Sequence, residues 1–359
     1  MNKLIAVSFL IAFSSQAQAQ AVADSVKSIR EMSDHGGRVD WSFQNLIAFD
    51  RLDDSGFYNV YTVKPDGSDV ACVTCNRDAL GLPHKNVGNP AWSPSGRFMA
   101  VEAEKDRHPP VRKFYETSPG AGLFNDLWVL DFKADRAYMV AQVPTARKYG
   151  VLHPHFSFDG KRLSWSEQYA VPRLLKVTQQ FGYFVLKVGD FLLGPQGPYL
   201  QNVRTYEPDG HAFYENHGFS PDGSKLIFSH NAPGTSPFKD NIYTLDLATG
   251  NLSQLTDGGY NEHALYSPDG SRIVWMTTMG NSNRGTDYWM MNADGSNKVR
   301  LTHFNESGYP EYTGVKTTAS DSSWSPDGKQ FVGYVQVGGI NNSQNSSQYE
   351  ERDYLITLQ

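Results

Sequence analysis

Six residues able to bind a metal, move a proton or hold an anion sit three positions ahead of a recurring aromatic–Ser pair. They are Arg38, Asn89, His153, Asn216, His263 and Asp321. Their neighbours add more such groups: His155 follows His153, Glu215 and His217 flank Asn216, and Glu262 precedes His263. Imidazoles and carboxylates brought together from several places can hold a divalent cation, of the manganese or calcium type. The metal set read here is His153, His217, His263 and Asp321. The same groups can instead form an acid/base set, with His153 and His263 as bases, Arg38 as the fixed cation and Tyr312 or Tyr149 as the phenolic acid. Asn89 and Asn216 offer amides to a ligand. Arg107 and Arg112, with Lys113 and His108, make a local basic spot that could meet an anionic one.

What positions these residues is a repeat. The phrase reads WSPSGRFMAVEAE from Trp92, FSFDGKRLSWSEQ from Phe156 and FSPDGSKLIFSHN from Phe219. It returns as YSPDGSRIVWMTT from Tyr266 and WSPDGKQFVGYVQ from Trp324, with a degenerate first copy, WSFQNLIAFDRL, from Trp41. Pro fixes φ, Asp bonds its own backbone and Gly accepts positive φ, so each copy is a tight turn inside a β-hairpin. A second hairpin phrase lies between copies, as in YNVYTVKPDGSDVACVT from Tyr58 and DNIYTLDLATGNLSQLT from Asp240. Two hairpins give four strands per unit, with anchors 47 to 64 residues apart. That period predicts an all-β fold, a six-bladed β-propeller of four-stranded antiparallel blades. The blades start near residues 36, 87, 151, 212, 259 and 316, and residues 24–359 form one domain.

The last unit stops after its third strand, ERDYLITLQ, while the phrase SVKSIREM at Ser25 to Met32 resembles a fourth strand. The N-terminal strand is therefore expected to complete blade six and remove the open sheet edges. These SPDG-type repeats resemble those of the TolB-like, WD40-like (PD40) propeller family over essentially the whole mature chain. The resemblance is to the propeller module, and the same repeat occurs in exported oligogalacturonate lyases and in peptidase-associated propellers. For the lyases it implies a manganese-type site, with no ligand carried over to a position of this chain. Fold alone does not decide activity.

The first-to-second and most third-to-fourth turns are short, and GDFLLGPQG in blade three is the exception. The other connections are long, among them 105–124, 169–180, NAPGTSPFK, GNSNRGT and GGINNSQNSSQYE. Long connections beyond what chain reversal needs carry function, so one face is read as the base and the other as the working face. The lead-in residues lie on that second face by the channel. Strict alternation leaves open whether the −3 set or the set shifted by one, with Pro154, His217 and Ala264, faces inward. In both cases His153, His155, His217, His263, Glu215 and Glu262 converge on one channel mouth, where His84 and His230 could join. The aromatic anchors themselves read as inter-blade core.

Lys3, the apolar run Leu4 to Phe13 and the small-residue stretch SSQAQAQA form a three-part secretory signal, cleaved after Ala19. The mature chain is expected to be periplasmic or secreted and monomeric. No later run of 18 apolar residues would span a membrane. Net charge is −6, from 32 Lys and Arg against 38 Asp and Glu. With no clustered basic stripe, nucleic acid is excluded as a partner. Cys72 and Cys75 are the two cysteines. On a continuous strand they would face opposite sides, which favours two separate small residues over a disulfide. There is no G-x-S-x-G, H-E-x-x-H or phosphate loop. Two readings follow: a scaffold that binds an envelope protein or anionic glycan through its long-loop face, or a metal-dependent lyase or hydrolase of an acidic glycan. For a uronate polymer the second would run by β-elimination, in which a cation neutralises the C6 carboxylate and acidifies the C5 proton.

Overall fold

The computed structural model describes residues 25–34, 36–170, 182–233, 235–338 and 350–359. The secretory signal, most of the 169–180 loop and most of GGINNSQNSSQYE fall outside them. The strands form six four-stranded antiparallel sheets arranged as the blades of a propeller. Blade one is β2 (Val39–Trp41), β3 (Ile47–Leu52), β4 (Tyr58–Val63) and β5 (Ala71–Cys72). Blade two is β6 (Val87–Trp92), β7 (Phe98–Glu104), β8 (Asn125–Asp131) and β9 (Arg136–Ala141). Blade three is β10 (Gly150–Phe156), β11 (Arg162–Ala170), β12 (Tyr183–Gly194) and β13 (Gly197–Tyr206). Blade four is β14 (Tyr214–Phe219), β15 (Lys225–His230), β16 (Asn241–Asp246) and β17 (Leu252–Gln254). Blade five is β18 (Asn261–Tyr266), β19 (Arg272–Thr277), β20 (Asp287–Asn292) and β21 (Val299–Arg300). Blade six is β22 (Thr317–Trp324), β23 (Gln330–Val337), β24 (Glu350–Leu358) and β1 (Val26–Ser33).

The chain ends close the ring as expected, with β1 pairing antiparallel to β24 from Val26 opposite Leu358 to Ser33 opposite Asp353. Each side of every blade is covered by its neighbour. One buried cluster joins Phe98 and Leu127 of blade two to Phe156 and Trp165 of blade three. Another joins Val274 and Tyr288 of blade five to Trp324 and Phe331 of blade six. A third, Trp41 and Phe49 with Val332 and Leu355, lies between blades six and one.

The repeated turn has a side-chain reason. In blades three to six the Ser hydroxyl donates to the Asp two residues on, Ser157 to Asp159 at 2.6 Å and Ser325 to Asp327 at 2.7 Å. The same hydroxyl oxygen accepts the backbone N–H five residues later, from Arg162 at 2.9 Å and Gln330 at 3.0 Å. The glycine after Asp sits at φ 69° (Gly160) and 66° (Gly328), a region open to Gly at little strain. Ser, Asp and Gly thus each have a fixed task in the turn.

Cys72 and Cys75 form a disulfide, which corrects the expectation of two separate thiols. β5 ends at Cys72 and the next three residues bend, so the alternation that would have set the sulfurs on opposite faces stops one residue too early.

Candidate functional site

The inner strands do not alternate regularly. Five of them carry a β-bulge just ahead of the anchor. It lies at matching positions between Gly88 and Ala91, Leu152 and His155, and Glu262 and Leu265, one residue later between Asn216 and Phe219 in blade four, and one residue earlier between Ala319 and Ser322 in blade six. A bulge re-aims the side chains beside it. Asn89, His153 and His263 take left-handed backbone there, with φ 52°, 49° and 51°. In blade four the left-handed residue is Gly218, φ 93°, two positions later relative to the anchor. That shift sends His217, not Asn216, to join the other imidazoles.

His153, His217 and His263 pack as a triangle, with ring centroids 6.0, 5.5 and 5.5 Å apart. Their ligand-type nitrogens lie within 4.8 Å of one another. Asp321 completes the group, its Oδ1 3.6 Å from His153 Nδ1 and 3.4 Å from His263 Nδ1. Glu215 Oε1 meets His153 Nε2 at 2.7 Å. His217 Nε2 accepts the backbone N–H of His263 at 3.1 Å and lies 2.6 Å from Ser229 Oγ. Side-chain exposure is 4% for His153, 11% for His263 and 13% for Asp321, so the group is enclosed within the channel.

Burial and charge divide these groups sharply. Burial pushes the His217 imidazole well below its usual range, so it is neutral and keeps a lone pair. Burial also lowers His263, but Asp321 and then Glu215 overcome it and lift the imidazole to about 10. Burial would raise Asp321, yet the charges of His263 and His153 hold it well below the carboxylate range. Glu215 is likewise held low by His153 and His263 against its burial. A second group of Glu215, Glu262 and His263 also brings ligand atoms within 4.8 Å. There burial and the Glu215 charge push Glu262 well above its normal value. Tyr260 donates its hydroxyl to Glu262.

The remaining expected residues have other surroundings. Asn216 braces the site: its Nδ2 donates to the His153 carbonyl at 2.8 Å and to Ser164 Oγ at 3.0 Å. Arg38 donates from Nη1 to Asp50 Oδ1 at 2.9 Å, and Asp50 Oδ2 accepts the Asn89 N–H at 2.8 Å. A Cβ on Gly120 would lie 2.3 Å from Arg38 Nη2, so the long connection of blade two closes over this guanidinium. His155 faces the other way, into a cavity of about 100 Å³ with Trp41, Trp92 and His217. There burial, then His153, lowers it to about 3. Arg107 and Arg112 are exposed on the blade-two loop. Tyr312 is 40% exposed and lines a separate cavity of about 620 Å³ between blades five and six, with His303, Tyr309 and Arg352. His84 pairs with Asp78, and His230 stacks on Tyr214 and pairs with Asp209, so neither belongs to the imidazole group. Sequence reasoning missed Asp240, Tyr260, Ser229 and Glu102. Asp240 and Glu102 lie on or beside the second and third strands, outside the repeated lead-in that drew attention to the rest.

Blade count and blade topology define a six-bladed β-propeller with an enclosed polar channel. No family model matches the chain, and no curated protein matches it by sequence. Among solved structures it is similar to TolB from Acinetobacter baumannii, with TM-score 0.55 and 17% identity over 99% of this chain and 71% of that one. It is also similar to a gluconolactonase from Xanthomonas campestris, with TM-score 0.52 and 13% identity over 94% and 92% of the two chains. An oligogalacturonate lyase from Vibrio parahaemolyticus gives 0.50 and 12% over 92% and 93%. At such identities the likeness is one of fold. No helix among the described residues is long and apolar enough to cross a membrane.

Proposed function

We propose that the protein is an exported propeller, periplasmic or released, that holds a divalent metal in its channel and acts there on an acidic oligosaccharide. The observation that carries this reading is the convergence of His153, His217 and His263 from three successive blades beside the ionised Asp321. The donor types, three imidazoles and a carboxylate, suit a manganese- or zinc-type ion better than an all-oxygen calcium site. Binding would displace the proton that His263 holds and free the His217 Nε2 lone pair that now accepts the His263 N–H. Bound there, the metal would supply positive charge to a uronate carboxylate and so acidify the adjacent carbon acid. The chain's own residues do the remaining positioning. Arg38, kept charged by Asp50 despite its burial, offers a second fixed cation. Asn216 locks the His153 backbone, and Ser229 fixes the His217 ring. The likeness to an oligogalacturonate lyase supports elimination as the reaction to test first.

The test uses the full mature chain purified without chelator. Its metal content is measured, and acidic oligosaccharides are followed by ultraviolet absorbance for unsaturated products. One transition-metal ion per chain, lost in His153→Ala and His263→Ala together with product formation, is the expected result. A chain without such an ion that turns over none of these substrates overturns the reading.

A second reading has its own observation. Several large apolar side chains stand exposed on the long-loop side: Phe114 45%, Tyr115 45%, Phe238 52%, Tyr309 42% and Val315 47%. Such a face suits docking of an envelope protein or a glycan. Pull-down of the metal-free chain's partners, abolished by Phe114→Ser with Tyr115→Ser, would favour it.

A further inference from the structure

The connection from blade five to blade six leaves an open cleft on the flank of the propeller, outside the channel. Blades splay apart with distance from the axis, and β21 stops after two residues while β1 of blade six runs for eight. A loop rather than a strand therefore faces β1, and a cavity of about 620 Å³ lies between them. That size falls within the roughly 300–1,000 Å³ of small-ligand sites. One wall is a fixed aromatic platform. The Tyr312 N–H donates to the Tyr309 carbonyl at 3.1 Å and the Thr313 N–H to the carbonyl of buried Phe304 at 3.2 Å, so the turn carrying both tyrosines is pinned. The Tyr309 ring lies flat on His303, with centroids 3.6 Å apart and planes 1° from parallel. His303 is held in turn by Glu311, whose Oε1 accepts its backbone N–H at 2.9 Å and lies 3.4 Å from its Nδ1. One face of Tyr309 is thus covered and the other is open, with Tyr312 exposed beside it.

The opposite wall is polar and belongs to blade six. Arg352 Nη1 donates to Glu31 Oε2 at 3.0 Å, and the Tyr354 hydroxyl donates to the same oxygen at 3.4 Å. Lys27 stands exposed on that wall and has no ion pair among the described residues. A pyranose ring offers a flat face of C–H groups and a rim of hydroxyls. The first stacks on an aromatic plane, and the second needs mixed donors and acceptors, which Glu31, Glu311, Arg352 and Tyr354 supply. An extended peptide would instead ask for separate pockets for its alternate side chains, and the apolar lining residues Leu301 and Ile29 are already packed into the core between blades five and six. We propose that this cleft is a non-catalytic binding site for a short acidic oligosaccharide, with a sugar ring against Tyr309 and Tyr312 and its carboxylate beside Lys27. The site needs no metal and stands independently of the channel chemistry.

The experiment titrates the metal-stripped full chain by calorimetry with trigalacturonate and with its methyl ester as the uncharged counterpart. Saturable binding of both is expected, tighter for the acid. Tyr309→Ala with Tyr312→Ala should weaken both by about tenfold or more, as truncating aromatic anchors does. Lys27→Met should bring the acid down to the affinity of the ester, and His153→Ala should change neither. Native near-ultraviolet dichroism qualifies each variant. Absence of saturable binding in the parent chain, equal affinity for acid and ester, or unaltered affinity in the folded tyrosine double variant overturns the proposal. Binding lost in His153→Ala instead overturns it by placing the sugar in the channel. An envelope protein captured through the same two tyrosines, by a chain that binds neither sugar, overturns it in favour of a protein ligand. Metal-free binding here without product formation by the metal-replete chain overturns the channel reading only.

Discussion

Gly333, in the middle of β23, lies directly under the ring of Tyr288 from blade five. A Cβ added there would stand 2.5 Å from Cε2, 2.6 Å from Cζ and 2.6 Å from the hydroxyl oxygen. The ring cannot swing aside. Tyr288 is fully buried, its hydroxyl lies 2.7 Å from the Tyr334 carbonyl and 3.0 Å from the Asp321 carbonyl, and Phe331 packs edge-on at 5.4 Å. Gly333→Ala therefore forces overpacking, at about 1–3 kcal/mol. Displacing the hydroxyl strands buried carbonyls, for about another 1–3 kcal/mol. The lower backbone entropy of Ala in the unfolded chain returns roughly 0.5–1 kcal/mol. The net expectation is destabilisation by about 3 kcal/mol. A chain of this size unfolds with an entropy near 0.7 kcal/mol/K, so the melting temperature should fall by about 4 °C in calorimetry. Tyr288→Leu makes room for the methyl, and the double variant should fall short of additivity by at least about 1 kcal/mol in denaturant titration. Gly333→Ala within about 0.5 kcal/mol of the parent, or strict additivity with Tyr288→Leu, would refute the claim that this contact sets the blade five–six interface.

Two further outcomes follow from buried groups elsewhere. Burial lifts the Asp40 carboxyl from 3.8 to about 6, although Trp92 N–H and Ser323 Oγ donate to it. The folded chain then holds a proton that the unfolded chain has released. Stability should therefore fall as pH rises from about 4 to 6, by roughly 3 kcal/mol, and flatten above; Asp40→Asn should remove that slope in unfolding titrations across the range. Reducing the Cys72–Cys75 disulfide opens a loop of only a few residues, so Cys75→Ser should cost at most about 2 kcal/mol. It should leave any metal content or activity untouched, and a loss of either would give the pair a role beyond bracing the end of blade one.

The architecture was legible because its signal is local and repeated. Ser, Asp and Gly in each turn make contacts within five residues, as Ser157, Asp159 and Gly160 do, so the motif survives in the sequence even where its flanks vary. The closing strand was legible for a similar reason, since an orphan strand phrase at one end matched a missing one at the other. The site was legible only in part. Period-two reasoning cannot carry a side chain across a bulge, and the left-handed residue lies at the −3 position in blades two, three and five but at Gly218 in blade four. His153 and His217 therefore reach the same place from different offsets, and Asn216 turns away to brace the His153 carbonyl. The disulfide escaped through the same assumption, because regular alternation was extended past the end of β5. Asp240 escaped because its buried carboxyl is coupled to Glu262 of the next blade, and no spacing in the chain announces a pairing made between neighbouring blades.

Asp321 shows how closure and site depend on each other. It is the carboxylate between His153 and His263, and it lies within the bulge of β22, the inner strand of blade six. Its backbone carbonyl is tied to Tyr288 of blade five, and Tyr288 in turn is pressed against Gly333 of β23. β23 keeps its place because β24 pairs with it on one edge and β1 covers β24 on the next. The strand that supplies this last support comes from the opposite end of the chain. A blade built wholly from C-terminal residues would present an open edge at β24, free to shift relative to blade five. The paired β1 fixes that edge, and with it the distance from Asp321 to the two imidazoles. Ring closure is thus part of what holds the channel chemistry in register.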